Sequence, residues 1–105
     1  MPQTHSPSML VFDLQGSLPR EKLNAYHGLA LVGSWARGEA DAASDVDVLF
    51  IGFLPAEYDL VQEIKLRLGQ VAPARIDAIK AERLPPKVLA SQLADAIHFW
   101  PERTF

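Results

Sequence analysis

The chain has 105 residues, nearly half of them apolar, a formal net charge of −3 and no cysteine. That length suits one domain, residues 1–105, with a small core, and the missing cysteines exclude a disulfide framework and a thiolate metal site. The acidic balance, without any Lys/Arg run, argues against a groove that tracks a nucleic-acid backbone, though a locally basic site for one nucleotide remains open.

Met1–Ser8 is polar, carries two prolines and reads as a flexible leader rather than a signal peptide. Met9–Leu14 reads as a short edge strand and Gln15-Gly16-Ser17 as a turn. Pro19 suits the first turn of a helix capped by Ser17, running to about Tyr26 and stopped at Gly28. Leu29–Val32 is a short apolar run, hence a first central strand. Ser34–Glu39 reads as a short helix or turn limited by Gly38, Asp41–Ser44 as loop, and Val46–Phe53 as the second central strand.

Pro55 starts a helix reaching about Leu68, with Leu60, Ile64 and Leu68 on one face and Gly69 as its stop. After Pro73, Arg75–Ile79 is a third strand, with Asp77 and Ile79 on one face. Pro85-Pro86 opens a helix over Lys87–Ala96 whose Val88, Leu89 and Leu93 are expected to face inward. Ile97–Trp100 is a short strand or aromatic plug. With Phe105, its aromatics form a protein-binding patch if exposed and otherwise close the sheet edge. The longest apolar run, Val48–Leu54, is far too short to span a bilayer, so a soluble cytoplasmic protein is expected. The alternation of helices and strands points to an α/β or α+β layer fold with a small sheet.

The polar residues of the central stretch sit where strands begin and end, where ligands usually bind in α/β layers. Asp45 and Asp47 are two apart and project from one face of an extended chain, with Cα atoms roughly 6.5 Å apart. Carboxylates so placed can bridge two divalent cations, which sit roughly 3.5–4 Å apart in two-metal sites. Oxygen donors of this kind favour Mg²⁺. If the third strand lies beside the second, Asp77 completes a three-carboxylate cluster that repels itself when bare. Gly33 allows close backbone approach to a ligand, the N–H groups that follow favour an anion, and Ser34 adds a hydroxyl donor. Arg37, one turn on, is in reach of the same phosphates. Each part has a plainer reading: Gly-Ser as a turn, Asp-x-Asp as solvated caps, Asp77 as a surface residue of an edge strand. The combination is far more specific than any part. His5, His27 and His98 lack ligand spacing, so zinc is not expected.

Gly33-Ser34, Arg37-Gly38, Ser44-Asp45, Asp47 and the apolar strand after them resemble the signature of the DNA polymerase beta-type nucleotidyltransferase superfamily. Size and the Gly-Ser-x-Ala-Arg-Gly-Glu wording bring the chain nearest the minimal nucleotidyltransferases, of the kind that serve as antitoxins. The resemblance covers roughly Leu29–Ile79 closely. It implies an αβαβαβ fold with a small mixed sheet flanked by helices. Asp45 and Asp47 would bind two Mg²⁺ ions, and Asp77 the one that activates the attacking hydroxyl. Gly33 and Ser34, with Arg37 and Gly38, would hold the nucleotide, ATP. It further implies transfer of AMP to a tyrosine of a partner toxin, an RNase of the HEPN class, in a hetero-oligomer. The alternatives are a small-molecule nucleotidyltransferase like the aminoglycoside-modifying enzymes, and a catalytically silent module that blocks its partner. Trp35, a large ring where a small or polar residue is common, is expected to narrow or reshape the nucleotide site.

Overall fold

The computed structural model describes residues 6–102. In chain order it contains α1 (Pro7–Gly16), β1 (Gly28–Val32), α2 (Gly33–Arg37), β2 (Val46–Ile51), α3 (Tyr58–Val71), β3 (Ile76–Lys80), α4 (Pro86–Ala94) and β4 (Ile97–Trp100). The four strands form one mixed sheet in the order β3-β2-β1-β4. β1 runs antiparallel to both β2 and β4, and β2 runs parallel to β3 through the α3 crossover. This is an α+β arrangement with the expected αβαβαβ order, extended by β4 at one edge.

Alternation along the strands divides the side chains between two faces. Leu29, Leu31, Val46, Val48, Phe50 and Ile76 meet Leu10 and Leu14 of α1 and Val61, Ile64 and Leu68 of α3 in the main core. Ala30, Val32 and Leu49 face the other way, into a smaller cluster with Ala81, Ile79, Leu84 and Leu89. Asp47 and Asp77 are on that second face, because their strand neighbours point into the main core. Among the described residues no helix is long and apolar enough to cross a membrane.

Several expected elements differ. Met9–Leu14 belongs to a helix, not an edge strand. Ser6 caps it, accepting the Met9 N–H at 3.2 Å, and Pro7 occupies its first turn. Leu10 and Leu14, four apart, are its buried contacts, while Phe12 is 75% exposed. The apolar run resembled a strand only because residues on the outer face are apolar too. Of the expected leader, Met1–His5 lie outside the described residues, as does Phe105, and Pro7 and Ser8 begin α1.

The helix expected from Pro19 to Tyr26 is a single 3-10 turn at Arg20–Lys22. Its buried leucines, Leu18 and Leu23, are five apart, a spacing that no helix face repeats. Beyond it the chain is held by side chains. The Trp100 indole donates to the Asn24 carbonyl at 3.2 Å, and the Asn24 N–H donates to His27 Nδ1 at 3.0 Å. With Nδ1 accepting, Nε2 carries the ring proton and meets Glu57 at 2.7 Å.

α3 runs through Gly69 to Val71. Its true stop is Pro73, which holds Ala72 in extended backbone. β2 ends at Ile51, since Gly52 turns the chain with φ +78°. α4 buries none of its residues: Val88 and Leu93 are exposed, and of the three expected inward residues only Leu89 packs against the sheet. The cluster beneath it is covered by Leu84 and Leu89, which leaves Val88 and Leu93 outside. β4 closes the sheet edge with Phe99 buried, and Gln15 of α1 donates to the Phe99 carbonyl at 3.1 Å.

Candidate active site

The site forms where β1 ends and β2 and β3 begin. Asp47 is the register partner of Val32 on one side and of Asp77 on the other. The next residue after Val32 is Gly33, with φ +74°. A Cβ built on Gly33 would lie 2.5 Å from Asp47 Oδ2 and 3.3 Å from its Cγ. The Asp47 carboxylate thus rests against the bare Gly33 Cα. The glycine serves two needs at once, a left-handed backbone and space for a carboxylate. Sequence reasoning expected only close approach to a ligand.

Asp47 is half-buried, and Asp45 and Asp77 are exposed. The Asp47 carboxyl is held above the usual carboxylate range, chiefly by burial, then by the negative charges of Asp77 and Asp45; Arg37 opposes the shift. Asp77 and Asp45 thus both act on Asp47. Among the described residues, no three His, Cys, Asp or Glu side chains stand close enough, as placed, to hold an ion. The donors nevertheless fit a hard cation in chemistry. All are carboxylates, their charges crowd Asp47, and the two outer ones are exposed at the surface.

Ser34 follows Gly33 in α2 and is half-buried. Gly38 closes this five-residue helix in the left-handed conformation, φ +73°. The Glu39 N–H then donates to the Ser34 carbonyl at 2.9 Å. Gly38 is thus placed as the C-terminal cap of the helix that carries Ser34. Arg37 is exposed. Its Nε donates to Glu39 at 2.9 Å, its Nη1 lies 4.0 Å from Asp95 at the end of α4, and Glu39 raises its already high pKa. Sequence reasoning gave no hint of Asp95, because the pairing depends on where α4 ends in space.

Trp35, expected beside the nucleotide, turns its side chain into the core. Its ring is 4% exposed and belongs to the main core. Its Nε1 donates to the Ser44 carbonyl at 3.0 Å, tying α2 to the loop before Asp45. That loop is closed on itself. Asp41 Oδ1 accepts from the Ala43 N–H at 2.9 Å and the Ser44 hydroxyl at 3.1 Å, and Ser44 Oγ accepts the Asp41 N–H at 3.1 Å. On the far side of Asp45, the Val46 N–H donates to the Arg75 carbonyl at 2.8 Å. A groove of about 600 Å³ along α3, lined by Lys65, Leu66, Arg75 and Ile76 among others, lies on the α3 side of the sheet, away from the carboxylates.

A family model described as a nucleotidyltransferase domain matches residues 20–99. No curated protein matches the chain. Among solved structures, one classed provisionally as a minimal nucleotidyltransferase superposes with a TM-score of 0.69 at 22% identity, covering 91% of this chain and 98% of that one. A toxin–antitoxin structure with AMP-PNP gives 0.59 at 17% identity, covering 87% of this chain and 70% of that one. A mutant of the toxin–antitoxin MntA–HpeT gives 0.51 at 15% identity, covering 91% and 73% respectively. At these identities the likeness concerns the fold. With a family model spanning most of its length, the four-stranded mixed sheet and an acid pair entering β2 beside a glycine-opened helix, the chain belongs to the nucleotidyltransferase domain family and has a minimal nucleotidyltransferase fold.

Proposed function

We propose that this protein is a Mg²⁺-dependent adenylyltransferase that neutralises a toxin RNase of the HEPN class by moving AMP from ATP to a tyrosine of that toxin. The observation that carries the reading is the Asp47 carboxylate resting against Gly33, with Asp77 as its strand partner and Asp45 two residues before it. Two of the similar structures are toxin–antitoxin complexes, one of them with AMP-PNP. The MntA–HpeT variant is described as having two aspartates, two positions apart, exchanged for glutamate, which is the spacing of Asp45 and Asp47. The whole chain acts as one cytoplasmic domain in a hetero-oligomer with its toxin.

In this reading Asp45 and Asp47 would hold two metal ions, and Asp77 would help hold one of them. When bound, the Mg²⁺ ions neutralise triphosphate charge and lower the pKa of the attacking hydroxyl. Gly33 and Ser34 offer a backbone N–H and a hydroxyl to the triphosphate. Gly38 fixes the helix that presents them, and Arg37 turns from Glu39 and Asp95 toward the phosphates. The tyrosine oxygen attacks the α-phosphorus, its proton leaves to solvent, and the bond to pyrophosphate breaks. A catalytically silent blocking module is the competing reading.

Mg²⁺ with AMP-PNP is expected to raise the melting temperature by several degrees, since only the folded state assembles the site. The double variant Asp45→Asn, Asp47→Asn loses that rise. A rise of equal size in the double variant places nucleotide binding elsewhere. Co-expression with a HEPN-class toxin encoded beside this protein should yield toxin carrying added AMP on a tyrosine peptide by intact-mass and peptide spectra. A neutralised toxin of unchanged mass favours the silent module.

A further inference from the structure

We propose that Trp35 is the positioning residue of the metal-holding loop, fixing Asp45 through the Ser44 carbonyl. This rests on the reading of Asp45 as a metal ligand. Asp45 is exposed and precedes the first residue of β2, so the ladder hydrogen bonds of the strand begin only after it. Its position is set through the backbone of its neighbours. On the C-terminal side, Val46 is anchored to Arg75. On the N-terminal side lies the Asp41–Ser44 loop, whose other hydrogen bonds are internal. Among the described residues, the Trp35 indole provides the hydrogen bond that joins this loop to the core.

The chemistry suits a strut. The indole carries a single donor, and the residue is 4% exposed within the main core cluster, so its ring has little room to swing. Trp35 also follows Ser34 directly on α2. One buried side chain therefore couples the residues that face the triphosphate with the loop that delivers a metal ligand. A plain helix–loop connection needs no such ring, and a smaller residue would leave Asp45 tethered from one side only.

The test is Trp35→Phe, which keeps an aromatic ring and removes the N–H. Mg²⁺ titrations in the presence of AMP-PNP are expected to show half-saturation about tenfold higher than wild type, a difference of about 1.4 kcal/mol. At saturating Mg²⁺, the KM for ATP should stay within about twofold. A role confined to packing would lower the folded fraction and leave the Mg²⁺ midpoint where it was. Amide hydrogen exchange at Ala43 and Ser44 should quicken in the variant, by about tenfold or more, with β-strand amides unchanged. Should Trp35→Phe fail to fold, the wild type still decides. Its two indole N–H resonances come from Trp35 and Trp100, and adding Mg²⁺ with AMP-PNP should move that of Trp35 more. An unshifted Mg²⁺ midpoint with unaltered loop exchange overturns the proposal, as does an unresponsive Trp35 resonance in a protein that binds Mg²⁺. If the wild type binds no Mg²⁺ with nucleotide, the reading of the site fails instead, and loop exchange alone decides whether Trp35 positions the loop.

Discussion

Asp47→Asn is expected to yield a protein that is harder to melt and almost unable to transfer a nucleotide. Burial first, and the charges of Asp77 and Asp45 second, raise the Asp47 carboxyl above its ordinary pKa, with Arg37 offsetting part of this. The folded state thus disfavours the ionised form. Stability linked to this group is fully present below its unfolded pKa, about 4, and is lost as pH rises through the raised folded value. Asparagine keeps the shape and carries no charge, so the variant escapes that loss. Without divalent cations its melting temperature should exceed that of wild type at neutral pH, and the gap should close toward about pH 4. Added Mg²⁺ should then favour wild type, which alone keeps the full donor set. Transfer should fall by about two or more powers of ten. Thermal melts across pH with a chelator, beside a labelled-AMP assay, check both halves. A variant less stable than wild type at neutral pH would sink the account of crowded carboxylates.

Gly33→Ala and Gly52→Ala should separate strain that matters to the site from strain that does not. Both glycines have positive φ, +74° and +78°, and at both a new Cβ would lie 2.5 Å from an oxygen. At Gly33 that oxygen belongs to the Asp47 side chain; at Gly52 it is the Tyr26 backbone carbonyl. Each substitution should cost about 1–3 kcal/mol from the backbone conformation alone. A domain of this size loses about 4–8 °C of melting temperature per kcal/mol. Gly52→Ala should lose more stability, because a main-chain carbonyl cannot rotate away, yet keep normal transfer per folded molecule. Gly33→Ala can relieve its clash by turning Asp47 aside. It should lose transfer by about a hundredfold or more even where it remains folded. Equal transfer in the two variants, corrected for folded fraction, would deny Gly33 its role in seating Asp47.

The parts of this molecule legible in its sequence are those fixed by short-range periodicity. The Leu29–Val32 and Val46–Phe53 runs announce two buried strands, the second of which ends at Ile51. Side-chain alternation puts Asp47 and Asp77 on one face once β2 and β3 are neighbours. The misread segments turn on what covers them. Met9–Leu14 has a strand-like composition, and only the Leu10–Leu14 spacing and the Ser6-Pro7 start mark it as a helix. Val88 and Leu93 look like core because they are apolar, but the sheet face below α4 is already served by Leu84 and Leu89. The sequence neighbours of Trp35 suggest a ring that narrows or reshapes the nucleotide site. Its partner, the Ser44 carbonyl, becomes visible only when the loop folds back across α2.

The parallel pairing of β2 with β3 has a consequence for which insertions and deletions the chain tolerates. Asp77 faces Asp47 only because Ile76 pairs with Val46 and the residues continue in step to Phe50 and Lys80. One residue gained between Ile76 and Asp77 would turn the carboxylate into the main core and bring an apolar neighbour to the surface. Two residues would restore the facing but move the acid by roughly 6.6 Å, out of reach of its partners. The turn before α3, from Gly52 to Glu57, sets no strand register, but Glu57 meets His27 there and Gly52 lies against the Tyr26 carbonyl. Length variation among related chains should therefore be rare from Arg75 through Asp77.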